Sequence, residues 1–255
     1  MAETTAPSQH CFQSKASQGC SLDPVTDATG VLLPGFHAFF DAPTNRYGHA
    51  VLGDTPEWGR LTFVRQGSPE HGPYLQAEIT LPQSRVFEDI RPRLADLDGD
   101  GTPEIVVVES DMQRGAQLAV YSVADDKLVK TTSTPFIGQR NRWLAPIGIA
   151  DLDGDGQIEL AYIDRPHLAK RLRIWRIKRG ELSHVADMDG LTNHRIGDPF
   201  ITGGIRDCGE GPELVTVDGN WQRVMVTRLT MTALRARPVG AFSGQNSVEA
   251  ALDCR

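Results

Sequence analysis

Short apolar runs rich in β-branched residues alternate with clusters of Gly, Pro and Asp along most of the chain. Around the clearest stretch this pattern predicts four strands, at Pro92–Leu97, Glu104–Glu109, Gln117–Ser122 and Leu128–Thr134. No segment of about ten residues or more combines a helical hydrophobic period with capping residues. The pattern therefore predicts an all-β fold with little helix.

Two segments of the chain are nearly identical. They are ADLDGDGTPEIVVV at Ala95–Val108 and ADLDGDGQIELAYI at Ala150–Ile163. A degenerate third copy is IRDCGEGPELVTV at Ile205–Val217, and a weaker fourth is VLGDTPEWGRLTFV at Val51–Val64. The final residues, AALDCR, echo the motif once more. The aligned aspartates lie at positions 54, 98, 153, 207 and 253, which are 44, 55, 54 and 46 residues apart.

A repeat of about 50 residues with β-rich content favours a β-propeller, since the coils of a solenoid are shorter. We predict five four-stranded blades within one domain that spans residues 1–255, with residues 1–30 as an N-terminal extension. The last blade would be shared between the chain ends, from about 31–41 plus 246–255. In this prediction Val248–Asp253 supplies its inner strand, while Val31–Leu33 and Phe36–Phe40 supply outer strands.

The two strong copies resemble the repeats of the FG-GAP/VCBS family, as found in integrin-like β-propellers. The resemblance implies the blade type. It leaves the function open, because propellers of this kind serve in adhesion, in carbohydrate binding and in some enzymes.

The motif D-x-D-G-D-G-x-x-E places oxygen atoms at alternate positions of a tight loop, as Ca²⁺ requires. We expect two structural calcium ions, since four carboxylates would otherwise repel one another. The degenerate third and fourth copies should bind no metal. For the two strong copies, the alternative to a calcium site is a solvated acidic turn. The expected ligands, with carbonyl oxygens from Thr102 and Gln157, are Asp96, Asp98, Asp100, Thr102, Glu104, Asp151, Asp153, Asp155, Gln157 and Glu159.

The loops expected on the opposite face are rich in Arg and His, although the protein is acidic overall. Such a ring would suit an anionic ligand, unless carboxylates in the same loops neutralise it. The candidate ligand-binding residues are Arg46, His49, Arg91, Arg93, Arg140, Arg142, His167, Lys170, His194 and Arg195. Trp143 and Trp221 lie in the same loops, where they would form a sugar platform or pack between blades.

Three functional hypotheses follow. The first is a calcium-stabilised propeller that binds an anionic small molecule, glycan or protein through its Arg/His face. The second is a hydrolase or lyase on the same scaffold, with His49 or His194 as general acid or base and an arginine such as Arg195 stabilising negative charge. The third is an interaction module without a pocket. His49, His167 and His194 would form a transition-metal site only if they met, and the chain has no nucleophile elbow, Walker loop or Rossmann glycine pattern.

Charge and cysteine content limit the partners and the cellular compartment that we expect for this protein. A net charge of −7 argues against nucleic acid as a partner, no apolar run is long enough to insert into a membrane, and we expect a monomer. Cys11, Cys20, Cys208 and Cys254 form no C-x-x-C pair, so we expect disulfides and a periplasmic or secreted protein whose export signal has been removed; a reduced cytoplasmic protein is the alternative. We favour Cys11–Cys20 with Cys208–Cys254, which also argues against Cys208 as a nucleophile.

Overall fold

The computed structural model describes residues 30–53, 56–178, 180–231 and 233–255. Within these ranges the chain forms eighteen β-strands and one eight-residue helix. The all-β prediction is confirmed. Asp54, Cys11 and Cys20, which the sequence analysis used, lie outside the described residues.

The strands fall into four consecutive antiparallel units. The first contains β1 (Gly30–Leu33), β2 (Phe36–Thr44), β3 (Glu57–Arg65) and β4 (Leu75–Thr80), which pair in chain order. A single pair, Trp58 with Phe87, connects this unit to the next.

The second unit begins with an interrupted strand. Both β5 (Arg85–Phe87) and β6 (Arg93–Ala95) pair with β7 (Glu104–Asp111), which is followed by β8 (Gly115–Ala124) and β9 (Lys127–Ser133). The four strands predicted for this stretch are present, with ends that differ by a few residues. Five residues, 88–92, separate β5 from β6.

The third unit is regular. It contains β10 (Leu144–Ala150), β11 (Glu159–Asp164), β12 (Arg171–Lys178) and β13 (Glu181–Asp189), which pair in that order. A bulge between Pro146 and Gly148 is the irregularity in its first strand pair.

The fourth unit repeats the interruption. Both β14 (Leu191–Thr192) and β15 (Gly204–Asp207) pair with β16 (Pro212–Asp218), followed by β17 (Arg223–Thr230) and β18 (Ala233–Ala241). The segment between β14 and β15 makes a long excursion that carries His194.

The units pack face to face. Along β7, Ile105 and Val107 pack towards the first unit, whereas Val106 and Val108 pack towards the third. All four are fully buried. A strand covered on both faces has no polar alternation, which explains the continuous apolar run in each motif.

The predicted closing blade is not formed. Residues 245–252 are the helix α1 (Gln245–Leu252) and not a strand, so the prediction of an inner strand at Val248–Asp253 is wrong. Glu, Ala and Leu are good helix formers, and one face of the helix packs Val248 and Ala251 against β16 and β17. Residues 36–41 pair with β3 instead, and residues 31–33 pair with β2. The described strands form three separate sheets, and a five-bladed ring stays a prediction.

A disulfide joins Cys208 to Cys254 with their Cα atoms 5.7 Å apart. It links the third motif copy to the end of α1, and the predicted pairing of these two cysteines is confirmed. Among the described residues, the one helix is too short to cross a membrane.

Candidate functional site

The first acidic loop connects β6 to β7. Asp96 accepts hydrogen bonds from the amides of Gly99 at 2.7 Å and Gly101 at 3.0 Å, and both glycines have the positive φ that so tight a turn requires. Asp96, Asp98 and Glu104 each bring an oxygen within 4.8 Å of the others. Burial, followed by these neighbouring carboxylates, raises the pKa of Glu104 to about 7. The loop is therefore an acidic cluster that could hold a metal ion, which would relieve this repulsion.

The second acidic loop has the same frame between β10 and β11. Asp151, Asp153 and Glu159 form the corresponding cluster. The Oδ1 atom of Asp153 is buried without a hydrogen-bond partner. Because an unpaired buried carboxylate oxygen is costly, this atom fits the donor set of a Ca²⁺ site. Asp100 and Asp155 stand outside the clusters, and each accepts a backbone amide two residues later.

The two loops differ in one cation. Arg176 lies opposite Glu159 in the β11–β12 pairing. Its guanidinium contacts Asp153 at 3.0 Å, Asp155 at 2.9 Å and also Glu159. In the first loop, Ser122 follows Tyr121, the partner of Ile105, and so takes the corresponding place. The second loop therefore carries its own counter-charge and the first does not.

The degenerate third loop is held by other means. Arg206 donates to Glu213, the counterpart of Glu104 and Glu159, at 2.8 and 3.1 Å, and to the carbonyl of Ala251 at 2.7 Å. The disulfide lies beside this ion pair. The ion pair thus joins β15 to β16, and the disulfide and the hydrogen bond to Ala251 join this loop to α1, at the position where the other copies have an acidic cluster.

A cleft lies at the opposite ends of the strands, among loops that enter the first strands and leave the second strands of the units. We call it the Arg/His cleft. It is lined by His49, Asn141, Arg142, Trp143, Arg165, Pro166, His167 and Leu168. Its free volume of about 30 Å³ is room for one or two water molecules. The cleft can therefore enclose a small charged group but not a whole sugar.

Close backbone packing fixes the loop that carries Arg142. Gly115 has φ +72°, and a Cβ atom there would lie 2.2 Å from the carbonyl oxygen of Gln139. Only glycine allows this approach, which lets the Ala116 amide donate to the carbonyl of Arg142 at 2.8 Å. Next to it, the buried Trp143 indole donates to the carbonyl of Glu88 at 2.8 Å.

Two histidines at the cleft are joined in a chain. The carbonyl of Asp198 accepts from His194 Nε2 at 2.9 Å, so in a neutral ring His194 Nδ1 is an acceptor. It accepts from His167 Nε2 at 3.0 Å. Burial lowers the pKa of both rings, and His194 and His49 add to the effect at His167, whose pKa falls to about 4. Both rings are neutral at pH 7.

The third histidine is held by a buried carboxylate. His49 Nδ1 lies 2.5 Å from Glu88 Oε1, and the other oxygen of Glu88 accepts from the Ser110 hydroxyl. Burial raises the pKa of Glu88, while the hydrogen bond to His49 opposes that rise. Close by, burial and then the charges of Glu88 and Asp89 raise the pKa of Glu57 to about 9. His49 thus stands in front of an acidic cluster.

The predicted Arg/His residues divide into two groups. His49, Arg142 and His167 line the cleft, and His194 is attached through His167. The others have positions elsewhere: Arg46 donates to the carbonyl of Arg85, Arg93 forms a bidentate ion pair with Asp89, Arg91 offers its carbonyl to Arg93, Lys170 donates to the carbonyl of Gly219, Arg140 is exposed, and Arg195 stacks on Trp221.

Two further expectations are resolved by the packing. Trp143 is 2 % exposed and therefore offers no platform to a sugar, while Trp221 contacts Phe242 and carries Arg195 at 4.2 Å from its ring. His49, His167 and His194 approach the same cleft, yet among the described residues they do not form a cluster with metal-ligand spacing.

Sequence reasoning missed Glu88 and Arg176. Glu88 follows the short strand β5 and precedes Asp89, and two adjacent acids on an Arg-rich face were the available signal. The sequence alone does not identify Arg176, because its contact with the second loop depends on the pairing register of β11 and β12. Arg165, which lines the cleft, is paired with Asp164 at 2.8 and 3.0 Å.

Known proteins add a family match and a distant fold neighbour. The comparison with curated proteins gives no match. Among solved structures, the chain is similar to exo-beta-1,3-galactanase from Phanerochaete chrysosporium, determined with beta-1,3-galactotriose. The TM-score is 0.43 and the identity 11 %, over 91 % of this chain and 53 % of the other. The chain thus spans about half the length of that structure.

The family profile confirms the resemblance carried by the two strong motifs. Residues 96–162, which include both acidic loops, match the model of the FG-GAP-like repeat.

Proposed function

We propose that this protein binds an anionic group of a small molecule or glycan in the Arg/His cleft, on a β-propeller scaffold stabilised by calcium. The observation that carries the proposal is Arg142 beside His49 and His167 in a cleft with room for one small group. Arg142 donates to the carbonyl of Asn141 at 3.0 Å. Since that acceptor is neutral, the contact leaves the guanidinium charge available to a ligand.

The size of the cleft favours a carboxylate, phosphate or sulfate as the bound group. Guanidinium recognises such planar or tetrahedral anions through paired hydrogen bonds. The rest of the ligand would lie outside, where Leu168 is 62 % exposed at the rim.

Replacement of Arg142 by alanine is expected to weaken anion binding about tenfold or more, because a charge-assisted hydrogen bond contributes roughly 1.5–3 kcal/mol. Titration calorimetry and thermal shift with inorganic phosphate, sulfate, acetate and glucuronate provide the measurement. Arg140→Ala is the matched control, since Arg140 is an exposed arginine two residues away. Equal losses in both variants, or no saturable response of the wild type to any of the four anions, would contradict the proposal.

We also propose that the protein works in an oxidising compartment, the periplasm or outside the cell. The Cys208–Cys254 disulfide supports this. Thiol titration of the protein isolated from its native source without reductant should find these two cysteines oxidised.

A further inference from the structure

The Arg/His cleft contains two imidazoles in opposite environments. His49 is backed by a buried carboxylate, whereas His167 is backed by a second neutral imidazole. A pair of titratable groups in contrasting environments is typical of an acid and a base that act together. The hydrogen bonds of each ring decide which role it can take.

His49 is oriented as a proton donor. Its Nδ1 atom is engaged with Glu88, which is completely buried and also bound to Ser110. This leaves Nε2 as the nitrogen that the Glu88 contact does not use, on a ring that lines the cleft. His49 can therefore present a proton on Nε2 to the cleft while Glu88 holds the other nitrogen.

His167 is oriented as a proton acceptor. Its Nε2–H donates to His194 Nδ1 at 3.0 Å, and in the neutral ring the lone pair is then on Nδ1. His194 cannot take this role, because its Nδ1 lone pair already accepts from His167 and its Nε2–H donates to the carbonyl of Asp198 at 2.9 Å. His194 fixes the tautomer of His167 in the same way that a carbonyl or carboxylate fixes a catalytic imidazole.

We propose that His167 and His49 are the general base and general acid of a hydrolase, acting on a phosphate or sulfate ester whose anionic group is bound by Arg142. Glu88 and His194 are positioning residues. The inference rests on the proposed anion site and adds a reaction to it.

The step balances with water as the second substrate. His167 Nδ1 accepts a proton from a water molecule as the water oxygen forms a bond to the electrophilic centre. The bond from that centre to the leaving oxygen breaks, and His49 Nε2–H gives the oxygen its proton. Exchange with solvent then removes the proton from His167 and restores the one on His49. No electron is gained or lost.

The charged neighbours agree with these roles. Burial is the largest cause of the lowered pKa of His167, and the charges of His194, His49 and Lys170 act in the same direction, while a hydrogen bond to the backbone of His194 opposes them. Arg142 and Arg165 share the cleft with both rings, and Arg165 is compensated by Asp164. Since the pKa of His167 falls to about 4, activity should persist at pH values well below 6.

The test uses the full chain with calcium and three probes. Turnover is expected of p-nitrophenyl phosphate or p-nitrophenyl sulfate, but not of p-nitrophenyl β-D-glucuronide, whose sugar is too large for the cleft. His49→Gln and His167→Gln should each lower kcat on the order of 10²–10⁴-fold, with KM and the anion-induced thermal shift changed less than about threefold. His184→Gln is the control, because His184 is 41 % exposed on β13 and bonded to Asp187. Wild-type turnover of all three probes that is no faster than that of the double variant would overturn the hydrolase.

The same data separate the two proposals. An anion-induced thermal shift without turnover overturns the acid–base pair and leaves the anion site standing, whereas loss of both overturns both. Glu88→Gln should lower kcat at constant KM, because His49 Nδ1 loses its carboxylate partner. A purely structural role of Glu88 would not produce this split between kcat and KM. Nitrogen-15 NMR of the wild-type histidines needs no variant that must fold: it should find His167 protonated on Nε2, and the opposite tautomer would contradict the assignment.

Discussion

Replacement of Cys208 and Cys254 by serine is expected to lower the free energy of unfolding by about 4 kcal/mol. The two cysteines are 46 residues apart, and closing a loop of that length removes roughly this much entropy from the unfolded chain. Because neither variant side chain adds bulk, the native state should keep its ion pair between Arg206 and Glu213. Urea denaturation with calcium present measures the difference.

The control for this experiment is the wild-type protein with its disulfide reduced. Wild type treated with a phosphine reductant should match the double serine variant, apart from any contribution of Cys11 and Cys20. The loss should also be local at first: α1 is held by Val248, Ala251 and the Arg206 bond, so limited proteolysis should cut near the C-terminus earlier than in wild type. An unchanged urea midpoint would mean that these contacts hold the helix without the covalent link.

The strands and the acidic loops could be predicted from sequence because both depend on short stretches of chain. The apolar run Ile105–Val108 predicts a strand whatever its neighbours in the fold are. The glycines at fixed positions of the motif predict the turn around Asp96. The C-terminal segment failed for the opposite reason. AALDCR shares three letters with the motif, but its helix is decided by the apolar face that it presents to β16 and β17.

The Arg/His cleft shows a second limit. The sequence names arginines on one face but does not show which of them already have partners. Arg93 is neutralised by Asp89, four residues earlier, and Arg46 donates to the carbonyl of Arg85 on β5, 39 residues away. Which cations remain available depends on loop conformations that no local pattern encodes. Glu88 was overlooked for the same reason, because its importance arises only when the β2–β3 loop brings His49 to it.

Removal of calcium is expected to destabilise the protein, and Asp98→Asn should reproduce part of the effect. A site occupied at about 100 times its dissociation constant contributes roughly 2.7 kcal/mol, or on the order of 5–10 °C in Tm for a chain of this size. Glu104, whose pKa is raised to about 7 by burial and neighbouring charge, would return to ordinary ionisation with Ca²⁺ bound. Differential scanning calorimetry with and without chelator is the measurement, and an identical Tm would remove the case for both sites.

The two sites should not be equal, and Arg176 is the reason. The first loop presents four carboxylates, Asp96, Asp98, Asp100 and Glu104, whereas the second presents four carboxylates together with one guanidinium. We therefore expect weaker calcium binding at the second loop. Arg176→Ser, which copies the residue found beside the first loop, should strengthen calcium binding there about tenfold, since a nearby positive charge repels the ion.

The same substitution should lower the stability of the chelated protein, because Asp153, Asp155 and Glu159 then repel one another without a counter-charge. This opposition distinguishes the ionic explanation from simple loss of packing, which would weaken both forms. Arg171→Ser is the matched control, as Arg171 lies on the same strand but pairs with Asp189 at the other end. Two equal sites in a calorimetric titration of the wild type, or no gain of affinity in Arg176→Ser, would contradict this prediction. Either result would show that the guanidinium moves aside when calcium binds, so that the two loops differ only when no metal is bound.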